Sequence, residues 1–198
     1  TQITGRERME EINVYSEAKT MRLDLNTRRN LELLETMRSK ERRGSLLWVL
    51  DKTKTAMGKR LIRTWLEQPL LSPAKITLRQ NAVAELFDNR PLLDAITESL
   101  TGIFDLERIM TRVVYGSVNG KDLRALWSAL TRLPQLKSLA AQCEATQLKA
   151  IEQQIDPLED ICALIDKAIV EEPPHTIREG GIIREGYDDA LDAVKSDM

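Results

Sequence analysis

The stretch Asn119-Gly-Lys-Asp-Leu-Arg-Ala-Leu-Trp-Ser-Ala-Leu130 decides the fold class of this 198-residue chain. Its apolar side chains recur at every third or fourth position, the spacing of one helical face: Leu123, Leu126, Trp127 and Leu130. Asn119 offers a side-chain oxygen to the free N–H groups of a first turn, so a helix is predicted to begin after it. We expect this helix to be the longest in the chain, with Pro134 restarting it.

Similar combinations of a capping residue and an apolar stripe recur along most of the chain. Helix starts are predicted at one of Asp24, Asn26 and Thr27, then at Ser45, Ser72, Asn89, Asp105, Asp156, and Asp188 or Asp189. The first helix is predicted to carry Leu31, Leu34 and Met37 on one face. Gly116 is a predicted left-handed stop. The fold class is therefore predicted to be all-α, a multi-helix domain with little or no sheet.

Composition supports a helical protein and excludes several other classes. Aromatic residues make up only 4% of the chain and charged residues 30%, which favours helices over strands. No run of about 18 apolar residues is present, so we expect neither a membrane-spanning nor a secreted protein. The two cysteines, Cys143 and Cys162, cannot form a disulfide framework and are predicted to be core residues in a reducing compartment.

Charge is distributed unevenly, and one loop is strongly basic. Residues 1–80 carry 17 Lys and Arg against 10 Asp and Glu, whereas residues 81–198 carry 12 against 21. The candidates for contact with DNA phosphates are four cations that we call the basic loop: Arg38, Lys40, Arg42 and Arg43. Arg28 and Arg29 lie on the helix before it. The alternative is that these charges only coat solvated faces.

Residues that could stack on bases or perform catalysis are not evident. Three tryptophans lie in apolar stripes and are predicted to be core residues: Trp48, Trp65 and Trp127. Cys143, Cys162 and His175 are too widely spaced for a paired-ligand zinc site. The segment from Gly116 to Asp122 lacks the spacing and the hydroxyl of a phosphate-binding loop and is predicted to connect two helices. We therefore predict that the chain is not an enzyme and holds no cofactor.

A pair of glycines lies near the carboxyl end, where the helical pattern of the sequence is interrupted. Gly180 and Gly181, with Arg178 and Arg184 on either side, are predicted to form a turn or small hairpin, here called the Gly-Gly turn. The same residues could serve as a functional hinge. The helix predicted after it runs to Met198 without a stop signal, so we expect the chain to be part of a longer protein.

Several ordered motifs resemble the core domain of the MutS family of bacterial DNA mismatch-recognition ATPases. They are Leu23-Asp-Leu-Asn-Thr-Arg-Arg-Asn-Leu-Glu-Leu33, Gly44-Ser-Leu-Leu-Trp-Val-Leu-Asp-Lys-Thr53, Thr55-Ala-Met-Gly-Lys-Arg-Leu-Ile-Arg-Thr-Trp-Leu66, Asp105-Leu-Glu-Arg-Ile109, Lys121-Asp-Leu123 and Ile177-Arg-Glu-Gly-Gly-Ile-Ile-Arg-Glu-Gly-Tyr187. The resemblance runs from about Tyr15 to the end of the chain.

The resemblance implies that the chain is a mechanical segment of a larger protein. Residues 1–14 would be a linker from a connector domain, and residues 15–198 the first part of the helical core, or lever, domain, truncated before the DNA-gripping clamp. The full-length parent would be an ATPase that uses ATP and Mg²⁺, binds mismatched duplex DNA as a homodimer, and recruits a MutL-type protein. A cytoplasmic, nucleoid-associated location in a bacterium is implied. The Gly-Gly turn would lie where the core meets the outgoing helix.

Two other classes of function remain open at this stage. One is a freestanding helical nucleic-acid-binding module that uses the basic loop. The other is a helical protein-interaction scaffold. The unterminated last helix argues against both as natural complete proteins.

Overall fold

The computed structural model describes residues 19–196, which form eleven α-helices and one short 3-10 helix, Ile177–Glu179. The α-helices are α1 Leu25–Asn30, α2 Leu46–Leu50, α3 Ala56–Glu67, α4 Pro73–Asp88, α5 Arg90–Leu100, α6 Leu106–Val114, α7 Gly120–Leu130, α8 Leu133–Ala140, α9 Thr146–Gln154, α10 Glu159–Ala168 and α11 Asp189–Ser196. Extended pairing within the described residues is limited to two isolated antiparallel bridges, Thr20 with Leu70 and Ile169 with Ile183. The all-α prediction is confirmed. The predicted linker, residues 1–14, and Met198 lie outside the described residues.

Local capping explains most helix starts, as predicted. Asn119 and Asp122 form a reciprocal capping box, with the Asp122 N–H donating to Asn119 Oδ1 over 2.8 Å. Ser45 accepts from the Trp48 N–H at 3.2 Å, and Asp24 accepts from the Thr27 N–H at 2.6 Å. Gly116 has φ +66° after α6, which confirms the predicted left-handed stop.

Two predicted helix boundaries and the predicted longest helix are wrong. α1 ends at Asn30, so Leu31, Leu34 and Met37 do not share a helical face. The reason is that Glu32 adopts φ +47° and accepts, through its carbonyl, the N–H of Leu46 at 3.0 Å, which folds the chain back. α10 begins at Glu159 rather than directly after Asp156. The longest helix is α4, with 16 residues, and not α7.

Two groups of three or more helices pack together, and α2 packs on α3. α4, α5, α8 and α9 form a closed ring in which each helix contacts two others. In the second group, α7 packs between α6 and α10. Between residues 19 and 196, no helix combines the length and apolar character needed to cross a membrane.

The clearest apolar cluster lies where α7, α10 and the segment after the Gly-Gly turn meet. Ile165, Ala168 and Ile169 are buried there. Five partly buried side chains pack against them: Leu123, Leu126, Trp127, Ile182 and Ile183. Since Trp127 belongs to this cluster, its predicted core role is confirmed.

The other two tryptophans are not core residues of the described structure, which corrects the prediction. Trp48 is 47% exposed and Trp65 is 42% exposed, and Leu61 of the same α3 stripe is also exposed. The stripe is helical as predicted, but α3 packs chiefly on the short α2, so part of its apolar face remains uncovered. The guanidinium of Arg79 covers one face of Trp65, 3.5 Å from the ring centre.

Candidate functional site

A basic cleft of about 700 Å³ opens between α1, the basic loop, α2 and α3. Seven cations line it: Arg28, Arg29, Lys40, Arg42, Lys59, Arg60 and Arg63. Three carboxylates share the lining: Glu35, Asp51 and Glu67. The lining therefore carries an excess of four positive charges and is suited to an anionic ligand.

Backbone hydrogen bonds hold the wall of the basic cleft in place. The N–H of Leu47 donates to the Leu33 carbonyl at 2.9 Å, and both side chains are buried. Inside the loop, the Thr36 N–H donates to the Glu41 carbonyl at 2.9 Å and the Lys40 N–H donates to the Thr36 carbonyl at 3.0 Å. Lys40 itself has φ +54°, a left-handed conformation that costs free energy in a residue with a side chain. The closed turn fixes the direction from which Lys40 enters the cleft.

Arg42 has a structural partner at the cleft wall. It forms an ion pair with Asp51, whose side chain is only 3% exposed. Asp51 also accepts from Thr53, at 2.6 Å from the hydroxyl and 3.1 Å from the N–H. These bonds, with the Thr53 hydroxyl as the largest cause and Arg42 a smaller one, hold the pKa of Asp51 below its ordinary value. Arg42 thus compensates a buried carboxylate.

The four predicted phosphate contacts divide into two pairs. All four side chains are exposed, but only Lys40 and Arg42 line the basic cleft, whereas Arg38 and Arg43 lie outside it. Sequence reasoning noted Arg28 and Arg29, which do line the cleft. It missed the α3 cations Lys59, Arg60 and Arg63. The available signal was the spacing of Lys59 and Arg63, which puts them one turn apart on one helical face.

Arginine–carboxylate bridges connect the cleft to the rest of the structure. Arg60 donates to Asp105 at 2.7 and 2.8 Å and also contacts Glu107, so α3 is tied to the start of α6. The hydrogen bonds from Arg60 lower the pKa of Asp105. Arg112 then donates to both carboxylate oxygens of Asp122 at 2.7 and 2.8 Å, which ties α6 to α7.

The last bridge joins α7 to α10. Arg124 donates to Asp166 at 2.9 Å, and its guanidinium also lies 4.1 Å from the centre of the Trp127 ring. α3, α6, α7 and α10 thus form a series of helices linked pairwise, which we call the bridged series.

The Gly-Gly turn lies at the far end of the bridged series. Gly180 and Gly181 have φ +70° and +69°, a pair of left-handed residues that strongly favours glycine. The chain then returns along the end of α10, where the Val170 N–H donates to the Ile182 carbonyl at 3.0 Å and the Arg184 N–H to the Ala168 carbonyl at 2.8 Å. The chain thus reverses direction near these glycines, and the predicted turn stays a prediction. Arg178 is exposed in the 3-10 helix, and the distinction between turn and hinge stays a prediction.

Gly120 is a close-contact position that the sequence reasoning missed. A Cβ atom on Gly120 would lie 2.7 Å from Pro173 Cβ and 3.1 Å from Ile182 Cγ2. The amino end of α7 can therefore approach these two side chains only because residue 120 has no side chain. Nothing local in the sequence indicated this contact, because Pro173 is remote from α7 along the chain.

The residues considered for zinc or acid–base chemistry are dispersed. Cys143 is fully buried and Cys162 is half-buried, and burial is the main cause that raises the pKa of each thiol. His175 accepts a hydrogen bond at Nε2 from Lys121 Nζ at 2.7 Å. Across residues 19–196, no group of three or more His, Cys, Asp or Glu side chains is arranged to hold a metal ion.

The domain is all-α and contains a basic cleft and a bridged series of helices. These features are typical of a helical structural segment. Comparison with protein families identifies it further, since the family described as MutS domain III matches residues 26–196. The chain therefore belongs to the MutS family, in its domain III.

Relatives from several bacteria agree with this assignment. The DNA mismatch repair protein MutS of Lachnoclostridium phytofermentans is 47% identical over 195 residues, which cover 98% of this chain and 21% of the relative. The protein of the same name from Ruminiclostridium cellulolyticum is also 47% identical over 195 residues, 98% of this chain and 22% of the relative. The protein of the same name from Alkaliphilus oremlandii is 48% identical over 181 residues, which cover 91% of this chain and 21% of the relative. The chain thus spans about a fifth of the length of these relatives.

Proposed function

We propose that this chain is the rigid lever segment of a DNA mismatch repair protein, linking a DNA-gripping part to an ATPase part. The bridged series is the observation that carries this proposal. A lever must keep its helices in fixed mutual positions, because a displacement at one end reaches the other only if the intervening elements move as one body. At the α3–α6 step, two nitrogens of Arg60 bond to the two carboxylate oxygens of Asp105, a bidentate bridge of fixed geometry. At the α6–α7 step, where the helices also pack, one nitrogen of Arg112 bonds to both oxygens of Asp122.

The junction near the Gly-Gly turn supports the same role. There α7, α10 and the returning segment share the Ile165 cluster, the Gly120–Pro173 contact and the two backbone hydrogen bonds around Ile169. Tight contacts of this kind transmit displacement because they do not deform gradually.

The remaining features of the proposed longer protein follow from family membership. It would bind ATP and Mg²⁺ outside this segment, act on mismatched duplex DNA as a homodimer, recruit a MutL-type protein and work in the bacterial cytoplasm. In this proposal the chain itself holds neither the catalytic residues nor the nucleotide.

The lever can be tested in a longer protein. The matching segment of the Lachnoclostridium phytofermentans relative would be exchanged for this chain, and Arg112→Gln would then break the α6–α7 bridge. We expect ATP-driven release of mismatched duplex to slow, while DNA affinity without nucleotide and ATP hydrolysis without DNA change little. The reason is that the variant leaves both functional ends intact and loosens only their connection.

Arg90→Gln is the matched control. Arg90 pairs with Asp94 at 3.5 Å within α5, so its loss removes one charge and one ion pair but no link between helices. If Arg112→Gln and Arg90→Gln gave the same ATP-driven release as the unaltered chimera, the lever proposal would fail.

A further inference from the structure

We propose that the basic cleft binds the phosphate backbone of a nucleic acid, chiefly through Arg28, Arg29, Lys40 and Lys59. The choice of nucleic acid over other polyanions rests on the proposed function in DNA repair. The preference for a polyanion rests on the charge, geometry and lining of the cleft. The proposal excludes Arg38 and Arg43 from the contact, although these cations are equally exposed.

The cations of the cleft differ in whether a carboxylate already neutralises them. Arg42 and Arg63 pair with Asp51 and Glu67 inside the lining, and Arg60 pairs with acids of α6. Within the described part of the chain, no carboxylate pairs with the other four cations of the lining: Arg28, Arg29, Lys40 and Lys59. Glu35 shares the lining and, within the described residues, pairs with none of these cations, so the four cations leave an excess of three positive charges. Such an excess around one cavity attracts a polyanion, because the binding releases counterions from the nucleic acid.

Two of these cations are held by the fold before any ligand arrives. Arg28 donates through Nε to the Leu23 carbonyl at 2.9 Å, which leaves the terminal guanidinium nitrogens for a ligand. Lys40 is presented by its left-handed position in the closed turn. Arginine suits this task because its planar group can bind two phosphate oxygens together.

The apolar part of the lining favours phosphate over a protein segment. Leu47 is buried and Leu34 is half-buried at the base, so Leu25, 81% exposed, is the one apolar side chain that the lining offers freely. An acidic helix would therefore meet one freely exposed leucine there, besides the aliphatic stems of the cations. None of the described residues that line the cleft is aromatic, so the contact would be with the backbone and independent of base sequence.

The test compares two variants with the same change in net charge. Arg29→Gln with Lys59→Gln removes two uncompensated cations from the cleft, and Arg38→Gln with Arg43→Gln removes two exposed cations outside it. Binding of a short fluorescein-labelled DNA duplex to the 198-residue chain would be followed by anisotropy at several salt concentrations. Circular dichroism would establish that both variants keep the helical content of the parent, as expected for exposed side chains.

We expect the cleft variant to bind about tenfold more weakly at low salt, and its slope of log affinity against log salt to fall by about 1.8. The outside variant should stay within about twofold of the parent. Matched and mismatched duplexes should bind equally.

Three outcomes would overturn the proposal. Equal weakening by both variants would mean diffuse attraction to a basic surface. Absence of duplex binding at low salt would remove the ligand class. Binding of poly-glutamate in preference to the duplex, lost in the cleft variant, would assign the cleft to an acidic protein segment. None of these would affect the lever proposal, whose readout is ATP-driven release.

Discussion

Replacement of Gly120 by alanine tests the packing on which the lever depends. Gly120 does not have a positive φ, so alanine can adopt its backbone conformation without strain. Its Cβ would instead lie 2.7 Å from Pro173 Cβ and 3.1 Å from Ile182 Cγ2. The first separation is shorter than real Cβ contacts allow, and a proline ring cannot rotate away.

The magnitude follows from two opposing effects. Overpacking a well-filled site costs about 1–3 kcal/mol, whereas glycine to alanine in a helix gains up to about 1 kcal/mol. The gain is smaller at the first helical residue, so we expect Gly120→Ala to lower the free energy of unfolding by about 1–2 kcal/mol. Urea denaturation followed by circular dichroism measures this difference.

A double-mutant cycle separates the contact from other effects. Pro173→Gly removes the opposing Cβ. It also adds conformational entropy to the unfolded chain, but this effect is the same with and without Gly120→Ala, so it cancels in the cycle. In the Pro173→Gly background, Gly120→Ala should cost less than about 0.5 kcal/mol. An equal cost in both backgrounds, or a stabilised Gly120→Ala chain, would refute the steric argument.

Other positions give shorter tests by chemical denaturation. Because the folded-state pKa of Asp51 is depressed, the stability that this group contributes is present above its ordinary pKa of 3.8 and is lost as pH falls through the lower folded value. Asp51→Asn should therefore cost about 1–3 kcal/mol at pH 7 and flatten the fall in stability below pH about 4. The carboxylate of Glu85 accepts the N–H groups of Glu144 and Ala145, so Glu85→Gln should cost about 1 kcal/mol and speed amide exchange at residues 144 and 145 more than elsewhere. Gly181→Ala should cost about 1 kcal/mol from backbone strain alone, since its Cβ would meet nothing within 4 Å; an unchanged stability would show that the turn tolerates side chains.

Helix starts were predictable where the cap is local. Asn119, Asp24 and Ser45 each accept from an N–H three residues along the chain, so the signal is contained in a few letters of sequence. The prediction failed where the decisive hydrogen bond is distant. α1 ends early because the chain near Leu46 returns to Glu32, and periodicity carries no information about such a return.

α9 shows the same limit at both of its ends. Its amino end has no side-chain cap of its own, and Glu85 of α4 instead fixes the two residues before the helix by accepting the N–H groups of Glu144 and Ala145 at 2.5 and 2.6 Å. At the other end, Lys137 donates to the Ile155 carbonyl at 2.9 Å. A helix whose caps come from neighbouring helices leaves no start or stop signal in its own sequence.

The basic cleft was hidden for a related reason. Its uncompensated cations come from α1, the basic loop and α3, and only the fold brings them around one cavity. The basic loop, by contrast, is a conspicuous run of charge whose members have different roles: Arg42 compensates the buried Asp51, and Arg38 and Arg43 lie outside the cleft lining. Density of charge in sequence therefore indicates a basic surface. Whether a cation is left for a ligand depends on where the carboxylates lie, and their positions are fixed only when the helices have packed.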